Sequence, residues 1–112
     1  MYQKLIKEYF DKASLYYTEE IISRFNQFLH LLLQYNKSHD LTRITNIDEI
    51  IIKHFVDSLI ITKFITIPSP LLDIGTGAGF PGIPLAIVYP DKRFILAESR
   101  HKRTQFLSIV NE

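Results

Sequence analysis

The 112-residue chain has no cysteine, which excludes a disulfide framework and a thiolate zinc site. Its four histidines, His30, His39, His54 and His101, are too scattered to read as a metal motif, so no metal is expected. A surplus of one charge is lacking as well: 13 Lys and Arg against 12 Asp and Glu leave a formal net charge of +1. That balance excludes a general polyanion binder, so any nucleic-acid contact must be local. Long hydrophobic runs are missing too. "FLHLLL" and "SLIITKFITI" fall far short of a membrane span, and the start, "MYQKLIKEYF", interleaves Lys4, Lys7 and Glu8 with apolar residues and so has no signal-peptide core. The expectation is a cytoplasmic protein with no membrane partner. Glycine is the last scarcity: there are only four, and all of them fall between residues 75 and 82.

What is present is a hydrophobic content of 46%, with 6 Tyr and 8 Phe, enough for a real core in one domain. Residues 1–60 read as a helical region. Leu5, Ile6, Tyr9, Phe10 and Ala13 recur at helical spacing, and Thr18 caps a second helix whose apolar face runs from Ile21 and Ile22 through Phe25, Phe28 and Leu29 to Leu32 and Leu33. "YNKSHDLTRITN" breaks that period with turn-forming residues. Asn46 and Glu49 then read as a capping pair for a helix over 47–60 with Ile50, Ile51, His54, Phe55, Ser58 and Leu59 on its inner face. Residues 61–70 are a connector ending in "TIPSP". Residues 71–112 follow the order strand (Leu71 to Ile74), glycine loop, apolar helix with Pro84 in its first turn, strand (Arg93 to Ala97), and a helix capped by Ser99 with Phe106, Leu107 and Val110 inside and Arg100, Lys102 and Arg103 exposed.

A strand entering a helix through glycines, then a strand ending in an acid, is the opening of a nucleotide-binding βαβ unit. Glu98 stands 19 residues after Gly79, near the spacing of a carboxylate that holds ribose hydroxyls. "GAGFPG" satisfies the dinucleotide pattern, so a nicotinamide-dependent oxidoreductase is one reading. Asp73, at the strand end before the loop, disfavours it, because a carboxylate there repels a pyrophosphate at the helix N-terminus. S-adenosylmethionine has an adenosine, no phosphate, and an ammonium group that an acid attracts. A purely structural role, with Asp73 capping the loop, the glycines serving helix-on-sheet packing and Glu98 a solvated acid, remains the plain alternative.

The segments "DIGTGAGFPGIPLAI" and "ESRHKRTQFL", with "YNKSHDLTRIT" and "IIKHFVDSL" upstream, resemble the bacterial small-subunit ribosomal RNA methyltransferase G family, also called glucose-inhibited division protein B, from about residue 20 onward. The resemblance implies a Rossmann-like class I methyltransferase fold. It also implies S-adenosylmethionine as cofactor, N7 methylation of one guanine in small-subunit (16S) RNA, and the RNA or the 30S subunit as partner. It places Gly75 and Phe80 at the cofactor, which the loop reading extends to Asp73, Gly77, Gly79 and Glu98. Arg100, Lys102 and Arg103 are the candidates for RNA phosphates, with Lys37 and Arg43 behind them. His54, Asp57 and Ser58 share a helical face and line the junction of the two parts. Where the chain has Asp40, members of the family carry Asn. No catalytic base is expected, because guanine N7 carries a lone pair and no proton.

One further expectation concerns the sheet. A doubly wound sheet places its first strand centrally, and only one neighbouring strand is readable here, so the chain is expected to be the first half of the fold and a poor enzyme alone. By the same reasoning it is expected to self-associate, and a binding module without activity is the alternative function.

Overall fold

The computed structural model describes residues 1–39, 46–98 and 101–111. Three helical segments come first: α1 (Gln3–Lys12), α2 (Glu19–His39) and α3 over residues 47–63. Then follow β1 (Leu71–Ile74), α4 (Gly82–Val88), β2 (Phe94–Ala97) and α5 (His101–Asn111). The Thr18 hydroxyl accepts the Ile21 N–H at 3.2 Å, and Asn46 Oδ1 accepts the Glu49 N–H at 3.1 Å, so both helix starts are capped where the sequence placed them.

Two helices differ from expectation. α2 does not stop at Tyr35 but runs on to His39, because Tyr35 still has a partner in the core, its ring centroid 6.3 Å from that of Phe106. Packing overrides the turn-forming character of Asn36 and Ser38. Lys37 thus lies on a helix rather than in a turn, and Asp40 and Arg43 lie outside the described residues. α3 is continuous but changes its winding: α-helical over Ile47–Glu49, π-helical over Ile50–Val56, α-helical over Asp57–Ile60 and 3-10 over Ile61–Lys63. The wide turn closes with the Asp57 N–H on the Ile52 carbonyl, five residues back. On its inner face Ile50, Ile51, Phe55, Ser58 and Leu59 are buried as the sequence predicts, while His54 is half-buried.

β1 and β2 are parallel, with Leu71 opposite Phe94 and Ile74 opposite Ala97. The connector is tied to the approach of β2: Lys92 Nζ donates to the Ile67 carbonyl at 2.7 Å and the Arg93 N–H to Ser69 Oγ at 2.9 Å. One side of the sheet is covered by α4. On the other, Leu72, Ile74 and Ile95 are 56%, 77% and 45% exposed, although parallel sheets usually bury both faces. No helix among the described residues is long and apolar enough to cross a membrane.

The core runs across both parts of the chain without a break. Phe10 meets Phe25 at 5.2 Å between ring centroids, Phe25 meets Phe55 at 5.0 Å, and Phe28 reaches Phe55, Phe80 and Phe106 at 5.7, 5.6 and 6.2 Å. Edge-on, tilted and near-parallel pairs all occur among them, and aromatic rings at these separations attract. This stack joins α1, α2 and α3 to the glycine loop and to α5.

Candidate functional site

The site is built where β1 runs out. Gly75 and Thr76 donate their N–H groups to the Ala97 carbonyl at 2.7 and 3.2 Å, so the turn begins while still bonded to β2. Gly75 has φ +69°, a left-handed conformation that strains any other residue, and a Cβ built there would meet no atom within 4 Å. The backbone at the strand end is therefore open to a ligand. Gly79 is different. Its Cβ would stand 2.2 Å from Ile83 Cδ1, and one on Gly82 would stand 2.1 Å from Leu96 Cδ2. These two glycines let the loop and α4 close onto the sheet, and Gly79, at φ +105°, also has a backbone conformation that other residues rarely adopt.

Asp73 acts as a clamp. Its Oδ2 accepts the Thr76 hydroxyl at 2.7 Å and the Gly82 N–H at 3.1 Å, linking the strand end to the first residue of α4. Thr76, only 3% exposed, was passed over in the sequence, where the signal was a hydroxyl three residues after the acid inside the glycine run.

Glu98 closes the loop from the other strand. Its side chain is 6% exposed and Oε1 accepts the Gly77 N–H at 2.8 Å, so it is not a solvated strand-end acid. Arg103 was expected to be exposed. Instead its side chain is only about a quarter exposed, with Nη1 3.8 Å from Glu98 Oε1, drawn in by the buried carboxylate. Arg100 lies outside the described residues and the Lys102 side chain is likewise undescribed.

The Phe80 ring leaves the loop and enters the core. It stacks on the His54 imidazole with centroids 4.3 Å apart and planes 10° from parallel, and the ring stays partly exposed beside the loop. Burial pushes the His54 pKa below its ordinary value, and the Asp57 carboxylate offsets part of that. The Ser58 hydroxyl donates to the His54 carbonyl and is thereby committed within the helix. Of these residues His54 reaches the loop part, through its stack on Phe80. A cavity of about 590 Å³ lies between α4, β2 and α5, lined among others by Ile83, Leu96, Glu98, Thr104 and Leu107. It meets the loop site at Glu98. Among the described residues no cluster of His, Asp and Glu could hold a metal ion.

A family model described as rRNA small subunit methyltransferase G matches residues 21–112. The chain is 46% identical over 83 residues to ribosomal RNA small subunit methyltransferase G 2 of Bdellovibrio bacteriovorus, covering 74% of this chain and 32% of that protein. It is 47% identical over 97 residues to ribosomal RNA small subunit methyltransferase G of Acholeplasma laidlawii, covering 85% and 42%, and 38% identical over 105 residues to the Psychromonas ingrahamii protein of the same name, covering 94% and 48%. The chain thus spans less than half the length of these curated relatives.

Proposed function

The chain belongs to the small-subunit ribosomal RNA methyltransferase G family, and from that premise we propose that it forms the cofactor-binding part of an S-adenosylmethionine-dependent enzyme that methylates N7 of a guanine in small-subunit ribosomal RNA. The observation that carries this reading is the open backbone at Gly75, set between the two strand-end acids Asp73 and Glu98. β1, α4, β2 and α5 are then the opening of a doubly wound class I methyltransferase fold in a cytoplasmic protein.

The residues fit an adenosyl sulfonium ligand better than a dinucleotide. A pyrophosphate needs the N–H groups at the start of α4, and Asp73 already takes that of Gly82 while adding a negative charge. The same charge favours the ligand's ammonium group. The same reading assigns the ribose hydroxyls to Glu98, whose Oε1 is held by the Gly77 N–H at 2.8 Å. Gly77 shapes the loop with φ +64°, and Phe80 anchors it through its ring.

When bound, S-adenosylmethionine supplies an electrophilic methyl group on sulfur. Guanine N7 attacks with its lone pair and has no proton to lose, so no residue of this chain needs to act as a base. The work of the loop is alignment, a contribution of up to roughly 7 to 11 kcal/mol. Arg100 and Lys102 are the proposed contacts to RNA phosphates. Two measurements test the reading: binding of S-adenosylmethionine against NADH, and transfer of a tritiated methyl group to small-subunit RNA with 7-methylguanosine as product. Tight NADH binding without S-adenosylmethionine binding overturns the cofactor, and label on another guanine atom overturns the chemistry.

A further inference from the structure

Two consecutive residues of α3 reach the same ring of the glycine loop. The centroid of Phe80 is 4.3 Å from that of His54, with the planes 10° from parallel, and 6.3 Å from that of Phe55. On a regular α-helix successive side chains point about 100° apart, so neighbours do not normally share a partner. His54 and Phe55 lie in the π-helical stretch Ile50–Val56, where the wider winding narrows that angle. Phe55 is fully buried and His54 half-buried, so one ring serves the core while the other meets the loop. Turns of this kind are rare and frequent at functional sites.

Phe80 is in turn tied to the strand end. Its N–H and that of Gly79 both donate to the Thr76 carbonyl, at 3.0 and 3.1 Å, and the Thr76 hydroxyl is held by Asp73 at 2.7 Å. Gly75, Gly77 and Gly79 all have positive φ, so this stretch has little conformational preference of its own and needs an anchor to keep one shape. We infer that His54 is a positioning residue of the site: the face of its imidazole holds Phe80 and, through Phe80, keeps the backbone from Gly75 to Gly79 in the shape that receives the adenosyl ligand. His54 acts through the ring and does not itself touch the ligand. A loop already in its bound shape loses less freedom on binding, which is the source of the affinity gained. The inference rests on the S-adenosylmethionine reading above and adds to it a residue from the helical region.

The test compares His54→Leu, which fills the space without a planar ring, with His54→Phe, which keeps the ring. S-adenosylhomocysteine is titrated calorimetrically at a temperature at which every form is folded by circular dichroism, and amide exchange is followed without ligand. In His54→Leu the affinity should fall about tenfold, the loss expected when the loop holds its binding shape about a tenth of the time. His54→Phe should restore most of it. The Gly79 and Phe80 amides should exchange about tenfold faster in His54→Leu while those of α1 and α2 hardly change, the pattern of a local opening. Where the Leu variant does not fold, His54→Met provides the same comparison. Lower stability in denaturant with unchanged affinity and unchanged loop exchange assigns His54 a packing role only and overturns the inference. Equal loss of affinity in the Leu and Phe variants overturns it too, since that marks a direct contact through a ring nitrogen. If the unaltered protein binds no adenosyl ligand, the cofactor reading itself falls.

Discussion

Glu98 Oε1 accepts the Gly77 N–H at 2.8 Å, so the acid that ends β2 is bonded to the loop that ends β1. The carboxylate thereby holds the loop in shape, in addition to the ribose contact proposed for it. Glu98→Gln keeps the size of the side chain and replaces a charged acceptor by a neutral one, and hydrogen bonds to charged groups are worth about 1.5 to 3 kcal/mol. S-adenosylmethionine and its demethylated product should both weaken, by a similar factor of about ten to a hundred, because the ribose is far from the reacting sulfur. Titration of the two ligands checks this, and loss for only one of them contradicts the assignment.

Gly75 and Gly79 should separate binding from folding. Gly75→Val places a β-branched residue at φ +69° in open space, and is expected to abolish ligand binding while the helical segments stay folded by circular dichroism. Gly79→Ala drives a methyl group into Ile83 and is expected to cost about 1 to 3 kcal/mol of stability in denaturant titration. Unchanged affinity in the Gly75 variant removes that residue from the site.

Acidification should weaken the fold through His54. Its pKa in the folded protein lies below the unfolded value of about 6.5, so the unfolded chain takes up the proton first. The stability is fully present above that value and is lost as pH falls from about 6.5 towards the depressed folded-state value. Thermal melts at pH 7.5 and 5.5 should show a larger drop for the native sequence than for His54→Phe, which keeps an aromatic ring against Phe80 and cannot titrate. Equal drops would mean that His54 is not the sensing group.

The exposed face formed by Leu72, Ile74 and Ile95 predicts self-association of these 112 residues expressed alone. Among the described residues β1 pairs only with β2, which leaves an unpaired edge beside that face. Ile74→Lys should shift sedimentation towards the monomer. Monomeric behaviour of the unaltered chain at high concentration would count against this surface as an interface.

The βαβ order, the strand residues and both caps were legible because each rests on local chemistry: apolar runs, glycines and side-chain oxygens at helix starts. The π-helical turn was half written in the sequence. The inner-face pairs 50/51, 54/55 and 58/59 recur every four residues, which on an α-helix drifts by roughly 40° per step, and a wider turn absorbs that drift. No local rule announces the change of winding, since it depends on what the stripe packs against. The inward turn of Arg103 was illegible for a similar reason. Its direction depends on the phase of α5 relative to the end of β2, which the run "SRHKR" does not reveal. Phe80 too was readable as a loop residue but not as a core residue, because its partners Phe28, Phe55 and His54 lie far away in sequence.

The placement of Phe80 makes the glycine loop a poor hinge. Swinging this segment aside to admit or release a ligand would pull an aromatic ring out of a stack shared by α2 and α3, exposing Phe28 and Phe55 to water. Such an opening belongs with the least frequent fluctuations of the molecule, alongside the unfolding of its core rather than the fraying of its surface. Amide hydrogens of Gly77 and Ile83 should accordingly exchange as slowly as those of the helices beneath them. On the proposed reading a ligand would meet a fixed wall on this side of the site.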